Sequence, residues 1–400
     1  MVVKIVIGSN FGDEGKGLMT EYFCHQAALR GDKTIVVCHN GGAQRGHTVT
    51  TPEGKHHVFH HFGSGTLIGS DTYLSEDFIL NPIIFKQEWD ELEVLGCRPI
   101  VYVHPDCRVS TPYDMILNQL KEEIRAGGKH GSCGIGIYET ICRYRDKSNN
   151  HSIRTLSNMS RNDIQEYLHM VRSQMIQTVD SYMLTEWNEI VTSEGLLNNY
   201  LDDLCFMIDK IKFGKENVLG NYETIVFEGG QGLLLDQNNR EYYPHLTPSN
   251  TGVKNPIEIL IKMQRHSLCP YDIEVCYVTR TYITRHGAGR LDYECQKEEI
   301  NPDIKDLTNV PNPHQGNLRY AKVDPTEIFE RVNKDYLALR ANNVIKKSNS
   351  IISLAITHCN EYSELFAYVD DKLRVKTNTN LEVYFNKVYR SNGKTRNEVS

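Results

Sequence analysis

The chain has 400 residues, 44 Lys and Arg against 51 Asp and Glu, a formal net charge of −7, and 11 cysteines. That length suits one large α/β domain or two ordinary ones, and the acidic balance excludes a general nucleic-acid binder. No apolar run approaches the roughly 20 residues of a membrane span, and an odd cysteine count without a C-x-x-C pair fits reduced thiols better than a disulfide framework.

Val2 to Ile7 is a short apolar, β-branched run of the kind buried on both faces of a sheet, and it empties into glycines at 8, 12, 15 and 17. A helix is predicted over 18–29, so backbone amides and a positive helix end meet in this loop, where phosphates bind. Two departures from the phosphate-loop pattern G-x-x-x-x-G-K-[ST] stand out: Asn10 at the first glycine position, and Gly17 in place of the hydroxyl that would reach magnesium. Asp13 and Glu14 inside the loop would repel phosphate. Their presence is explained if one carboxylate binds a metal or takes a proton while Lys16 and the amides hold phosphoryl groups. Lys4, Ser9 and Asn10 also interrupt any signal-peptide pattern, so a cytoplasmic protein is expected.

A second strand at 34–38 runs into His39-Asn-Gly-Gly-Ala-Gln-Arg-Gly-His-Thr48. The His-rich stretch 55–62 alternates like a strand or hairpin, with no carboxylate or cysteine completing a metal shell nearby. A helix follows at about 81–95 and a strand at 99–103, and Ser110-Thr-Pro-Tyr-Asp114 opens a further helix with a cap and a first-turn proline. Residues 127–136 form a third glycine-rich loop, and 156–212 read as amphipathic helices in a peripheral layer. A buried strand at 224–228 ends in Gly229-Gly-Gln-Gly232, residues 243–252 have the composition of a binding loop, and a strand-like run at 274–284 leads to Arg285-His-Gly-Ala-Gly289. A mobile loop is expected at 294–316, a strand at 351–357 before His358-Cys-Asn-Glu361, and a meander at 365–375 around Asp370-Asp371. The pattern predicts an α/β fold. Its mostly parallel central sheet carries phosphate-loop-like strand-end loops, flanking helices and a peripheral helical layer, as one domain of 1–400 with a helical insertion at about 156–212.

Together the motifs resemble the adenylosuccinate synthetases. Gly8-Ser-Asn-Phe-Gly-Asp-Glu-Gly-Lys-Gly17 resembles that family's glycine loop, and Gly41-Gly-Ala-Gln-Arg-Gly-His-Thr48 its G-G-x-N-A-G-H-T segment. Phe59-His-His-Phe-Gly-Ser-Gly65, Glu228-Gly-Gly-Gln-Gly232, Thr247-Pro-Ser-Asn250, Tyr282-Ile-Thr-Arg-His-Gly-Ala-Gly289 and Ser391-Asn-Gly393 follow in family order. The resemblance implies a ligase that joins L-aspartate to C6 of a 6-oxopurine nucleotide while splitting a nucleoside triphosphate, with Mg²⁺ as cofactor. It makes Asp13 the base for N1 and a metal ligand, His47 the acid at O6, Lys16 a phosphate-binding catalytic residue, and the Gly46 carbonyl a second metal ligand. Gly12, Gly15, Gly17, Gly46, Thr48, Asn360, Ser391 and Gly393 would surround the triphosphate with Lys16. Asn10, Asp13, Ser132, Gln231 and Thr247 would surround the monophosphate, and Arg143 or Arg145 would reach the neighbouring subunit's site in a homodimer. Gly316, Asn317 and Arg319 would meet aspartate.

Departures from the family pattern refine this. The family's T-K-x-D, whose Asp reads guanine, is Thr357-His-Cys-Asn360 here, and an Asn amide both donates and accepts, as adenine requires. ATP or dATP is the expected donor. The arginine-rich aspartate loop has become Gly316-Asn-Leu-Arg-Tyr-Ala-Lys322, with Arg319 left to pair with a carboxylate. These features are similar to the viral branch of the family, which acts on dGMP and makes the 2-amino analogue of adenylosuccinate, in host cytoplasm. Asp13, replaced in some members of that branch, is present, which keeps an IMP enzyme open, as well as GMP. A GTPase-like switch would need Ser or Thr after Lys16 and a guanine-reading Asp, and a silent nucleotide-binding module would not need Asp13 with His47.

Overall fold

The computed structural model describes residues 1–125, 132–145, 151–179, 185–264, 270–304, 317–342, 348–362, 365–369, 372–376 and 381–400. Val2–Gly8 is its central strand, paired in parallel with Thr224–Gly232 on one side and Asp272–Arg280 on the other. Val3, Ile5 and Ile7 point into one apolar core and Val6 into another, which is why a β-branched run suits this position. The nine strands of the main sheet run in the spatial order Lys387–Arg390, Asn349–Thr357, Asp272–Arg280, Val2–Gly8, Thr224–Gly232, Thr34–Cys38, Asp71–Leu74, Val101–Val103, Lys212–Phe213. Every pairing among them is parallel, so all their carboxyl ends lie along one edge. The chain winds from the central strand toward Lys212–Phe213, returns to Thr224–Gly232 beside the start, and then winds the other way. Ligands collect beside such a reversal.

Helices cover both faces. Lys16–Leu29 packs Met19, Phe23 and Cys24 against Val6, while Lys254–Gln264 and Pro325–Ala341 bury Ile257, Leu260, Ile328 and Val332 on the opposite face. The peripheral layer is present as Ile153–Ser157, Arg161–Thr178, Asn188–Val191 and Glu194–Lys210. It packs through Leu168, Val171, Leu197, Leu201 and Leu204 on Pro82–Val94 and Pro112–Ile124. Asn81 caps Pro82–Val94, and Thr111 with Asp114 forms a reciprocal capping box for Pro112–Ile124.

Several boundaries differ from the sequence reading. The first helix starts at Lys16, because Gly15 takes a left-handed φ of 90° that caps it without a side chain. The strand expected at 224–228 continues to Gly232. The run at 274–284 divides into Asp272–Arg280 and Ile283–Arg285, the latter in a separate antiparallel sheet with Arg319–Ala321 and Glu294–Cys295. The expected hairpin at 55–62 is the antiparallel pair His47–Thr50 and His56–Phe59, and the expected meander is the pair Leu365–Val369 and Lys372–Lys376. Residues 127–131 of the third glycine loop, most of the loop expected at 294–316 with Gly316, and Asp370-Asp371 lie outside the described residues. Among the described residues no helix is long and apolar enough to cross a membrane.

Candidate active site

The first strand-end loop folds its charges onto its own backbone. Glu14 Oε1 accepts the amides of Asn10 (2.8 Å) and Gly12 (3.1 Å), and Glu14 Oε2 lies 3.6 Å from the buried Lys16 ammonium, which donates to the Gly12 carbonyl. Burial pushes the Glu14 carboxyl up despite that ammonium. Asp13 is held differently. Its Oδ2 lies 3.0 Å from His286 Nε2, and its carbonyl accepts from Arg280 Nε. Burial would raise its pKa, but His286, then Arg280 and Lys16, outweigh burial and hold it below the usual carboxylate range.

The second loop approaches the first at Gly17, where any side chain would meet the Thr48 carbonyl at 2.9 Å and His47 Cβ at 3.2 Å. His47 donates from Nδ1 to Glu228 Oε1 (2.8 Å), and Glu228 also accepts from Arg45 Nη1 (3.3 Å), Ser64 N (3.2 Å) and Ser64 Oγ. Burial alone would raise Glu228, yet His47, Arg45 and Ser64 hold it down at about 2. Burial depresses the His47 pKa more than Glu228 raises it, and Lys16 and Arg45 depress it further. The ring is therefore neutral, with its proton on Nδ1 facing Glu228 and a buried Nε2 that no protein atom satisfies. Asn40 Nδ2, Gln44 Oε1 and Gln231 Oε1 are also buried and unsatisfied, with Gln44 and Gln231 both close to Gly41 in the second loop. Each such group left unmet costs about 1–3 kcal/mol, which makes this loop a candidate for ligand binding.

The remaining predicted residues fall into three groups. Gln231 lies close to Gly41 and Gly12, and Ser249, two residues after Thr247, accepts from the Gly41 amide through Oγ at 3.3 Å. At the neighbouring strand ends, Cys359 N donates to the Ser391 carbonyl (3.0 Å) and Ser391 Oγ to the Gly393 carbonyl (2.7 Å), which draws the Asn360 turn and the terminal segment together. Thr357 Oγ1 donates to the Glu14 carbonyl (2.8 Å), tying that turn to the first loop. Asn360 is exposed there, and Gly46 and Thr48 border the second loop.

Other predicted side chains are engaged within the chain. The Asn10 amide donates to Thr279 Oγ1 (3.0 Å) and accepts from Arg331 Nη2 (2.7 Å). Ser132 Oγ accepts from Asn118 Nδ2 (3.0 Å). Arg319 pairs with Glu294 (2.7 Å) and donates to the Gly289 carbonyl (2.8 Å), with Asn317 exposed nearby. Arg143 is buried against Asp114 (2.9 and 2.7 Å), Tyr167 and the Val109 carbonyl, whereas Arg145 is exposed. The sequence reading did not single out Arg280, His286 and Arg331 as site residues, because each reaches the glycine loop from more than two hundred positions away.

Asp13 and the exposed Gly46 carbonyl offer hard oxygen donors of the kind Mg²⁺ takes. In the His-rich hairpin a carboxylate does arrive, from the helix Pro82–Val94: Glu88 lies 3.6 Å from His57 and His61. It accepts the amides of His60 (2.9 Å) and His61 (2.6 Å), which makes it a clamp on the turn. Glu76, His104 and Glu216 are grouped closely enough to ligate an ion, but Lys262 already supplies the positive charge, pairing with Glu76 and lying 3.3 Å from Glu216.

A glycine loop opening a helix, with an imidazole held by a buried carboxylate of the adjacent strand, places the chain among α/β proteins with a candidate ligand site at their parallel-strand ends. Residues 5–310 match the family model for adenylosuccinate synthetase, and the chain belongs to that family. It is 31% identical over 311 residues to the adenylosuccinate synthetase of Trichodesmium erythraeum, covering 74% of this chain and 65% of that one. The Picrophilus torridus enzyme is 29% identical over 254 residues, covering 62% and 56%. The chain thus spans between about half and two thirds of the length of these relatives. The fully ligated adenylosuccinate synthetase of Plasmodium falciparum shares the fold over 100% of this chain and 99% of its own, with a TM-score of 0.69 at 17% identity. The cyanophage S-2L succinoaminodeoxyadenylate synthetase, bound to dGMP and dATP, shares it over 100% and 95%, with a TM-score of 0.59 at 14% identity.

The two candidate arginines separate by stability. Arg143→Ala leaves the buried Asp114 carboxylate without its guanidinium and is expected to cost about 3–5 kcal/mol in denaturant unfolding, while Arg145→Ala leaves the midpoint unchanged.

Proposed function

We propose that the protein is a purine nucleotide ligase that joins L-aspartate to C6 of a 6-oxopurine monophosphate through a 6-phosphoryl intermediate. The observation that carries this reading is the placement of Asp13 and His47 on adjoining strand-end loops with Lys16 close enough to act electrostatically on both. A lactam oxygen is a poor leaving group, so it must be converted into a phosphate before an amine can displace it. Asp13, held ionised, takes the N1 proton. The electrons delocalise onto O6, which attacks the γ-phosphorus and expels the nucleoside diphosphate. Incoming phosphoryl charge favours the imidazolium form of His47, which Glu228 stabilises, and its Nε2–H then meets the charge on O6. The amine of aspartate adds at C6, phosphate leaves with O6, and the amine gives up a proton. Lys16 and the loop amides hold phosphates, and Mg²⁺ on Asp13 and Gly46 would neutralise charge on the donor.

On the finer question we favour dGMP or GMP as acceptor and ATP or dATP as donor, giving a 2-aminoadenylosuccinate nucleotide as in the viral branch. Asn360 in place of a guanine-reading carboxylate and the depleted basic loop support this. The retained Asp13, together with relatives named adenylosuccinate synthetase, supports the second reading, an IMP enzyme. With Arg143 committed inside its own chain, Arg145 is the arginine we assign to a partner's monophosphate site in a homodimer. Aspartate would compete with Glu294 for Arg319. We read residues 1–400 as one domain with its helical insertion at about 156–212, acting in the cytoplasm.

The test is phosphate release with ATP, Mg²⁺ and aspartate, offering dGMP, GMP and IMP in turn. Release that requires aspartate and one monophosphate supports the ligase, faster release with dGMP than with IMP selects the viral-type reaction, and no release with any of them leaves a nucleotide-binding module. Asp13→Ala and His47→Ala are each expected to lower kcat by about 10²–10⁴-fold while monophosphate binding persists, and retained turnover in either would refute its role. Asn360→Asp is expected to shift kcat/KM from ATP toward GTP by roughly tenfold or more, and an unchanged ratio would remove Asn360 from base recognition.

A further inference from the structure

We propose that His286 is a positioning residue for the base, holding one oxygen of the Asp13 carboxylate so that the other is presented to the purine ring. The inference rests on the ligase reading above. Asp13 lies in a loop whose own polar contacts go elsewhere: Glu14 takes the amides of Asn10 and Gly12, and Lys16 takes the Gly12 carbonyl. Support for Asp13 comes instead from a distant stretch of chain that grips it at both ends, with Arg280 Nε donating to its carbonyl and His286 Nε2 lying 3.0 Å from its Oδ2.

That stretch is itself firmly anchored. Arg280 ends a strand in the middle of the main sheet, and His286 directly follows the buried strand Ile283–Arg285. Arg285, one residue before His286, lies over the Phe11 ring at 4.4 Å and donates to the carbonyls of Arg290 and His245, so the histidine leaves a fixed point. The Asp13 and His286 side chains are 30% and 25% exposed, which leaves the carboxylate accessible to a ligand. Without the imidazole, the Asp13 side chain can rotate about χ1 or turn toward the Lys16 ammonium. A base must stand within hydrogen-bond reach of its proton, and a displacement of about 1 Å costs on the order of 10²-fold in rate.

The experiment compares the native protein with His286→Ala and His286→Gln, whose side-chain amide reaches to about the position of Nε2. Steady-state kcat and KM are measured for the monophosphate and aspartate, with monophosphate binding followed by calorimetry. The expected result is a kcat about 10²-fold lower in His286→Ala with KM and binding within about threefold, and recovery to within about tenfold of native in His286→Gln. Turnover in His286→Ala within about twofold of native, a gain in turnover, a KM that rises as far as kcat falls, or His286→Gln no better than His286→Ala would each overturn the assignment. If the native protein shows no aspartate-dependent phosphate release with dGMP, GMP or IMP, the ligase reading falls and this assignment with it. Native turnover with an unaffected His286→Ala removes the assignment alone.

Discussion

The Glu228 carboxylate, with none of its surface exposed to solvent, is the group on which the site depends. An isolated ionised carboxylate in such a place would cost several kcal/mol, and it persists only because His47, Arg45 and Ser64 all direct hydrogen bonds at it. Satisfying Glu228 fixes the geometry of everything around it. Arg45 spans to the carbonyls of His60 and Phe62 (both 2.6 Å), so the second glycine loop, the hairpin and the strand Thr224–Gly232 are tied at one point. His47 is left with its Nδ1 toward the carboxylate and its buried Nε2 without a partner.

The position of that imidazole relative to Asp13 follows from the sheet. Parallel strands bring every loop to one edge, and the central strand Val2–Gly8 together with Thr34–Cys38 and Thr224–Gly232 delivers the first glycine loop, the His47 segment and Glu228 there. A residue larger than glycine at 17 would push the loops apart by its contact with Thr48 and His47. Packing therefore sets how close His47 and Asp13 can come, and the strand-end charges act only within that spacing.

Much of this was legible in the sequence because it is local. The run Val2 to Ile7, the cap and first-turn proline within Ser110 to Asp114 and the glycines after the strands state their structure over a few residues. The helix Pro325–Ala341 went unread although Ile328, Val332, Tyr336 and Leu339 recur at helical spacing and Asp324-Pro325 offers a cap and a first-turn proline. Asp71–Leu74 and Lys387–Arg390 are too short to carry a period, and only their neighbours in the sheet make them strands. The site was half visible for the same reason. Asp13, Lys16 and His47 sit in local motifs, whereas the approach of His286 and Arg280 to Asp13, the Arg143–Asp114 pair and the capture of Arg319 by Glu294 are made by the fold. Arg143 and Arg145 are indistinguishable by spacing, and burial alone separates them.

In the proposed ligase reaction the purine oxygen leaves as phosphate. This step is tested most directly by supplying the accepted monophosphate labelled with ¹⁸O at C6, together with the donor, Mg²⁺ and L-aspartate, and analysing the released phosphate by mass spectrometry. One ¹⁸O in each phosphate formed is the expected result. Unlabelled phosphate, with the label retained on the purine or lost to water, would contradict it.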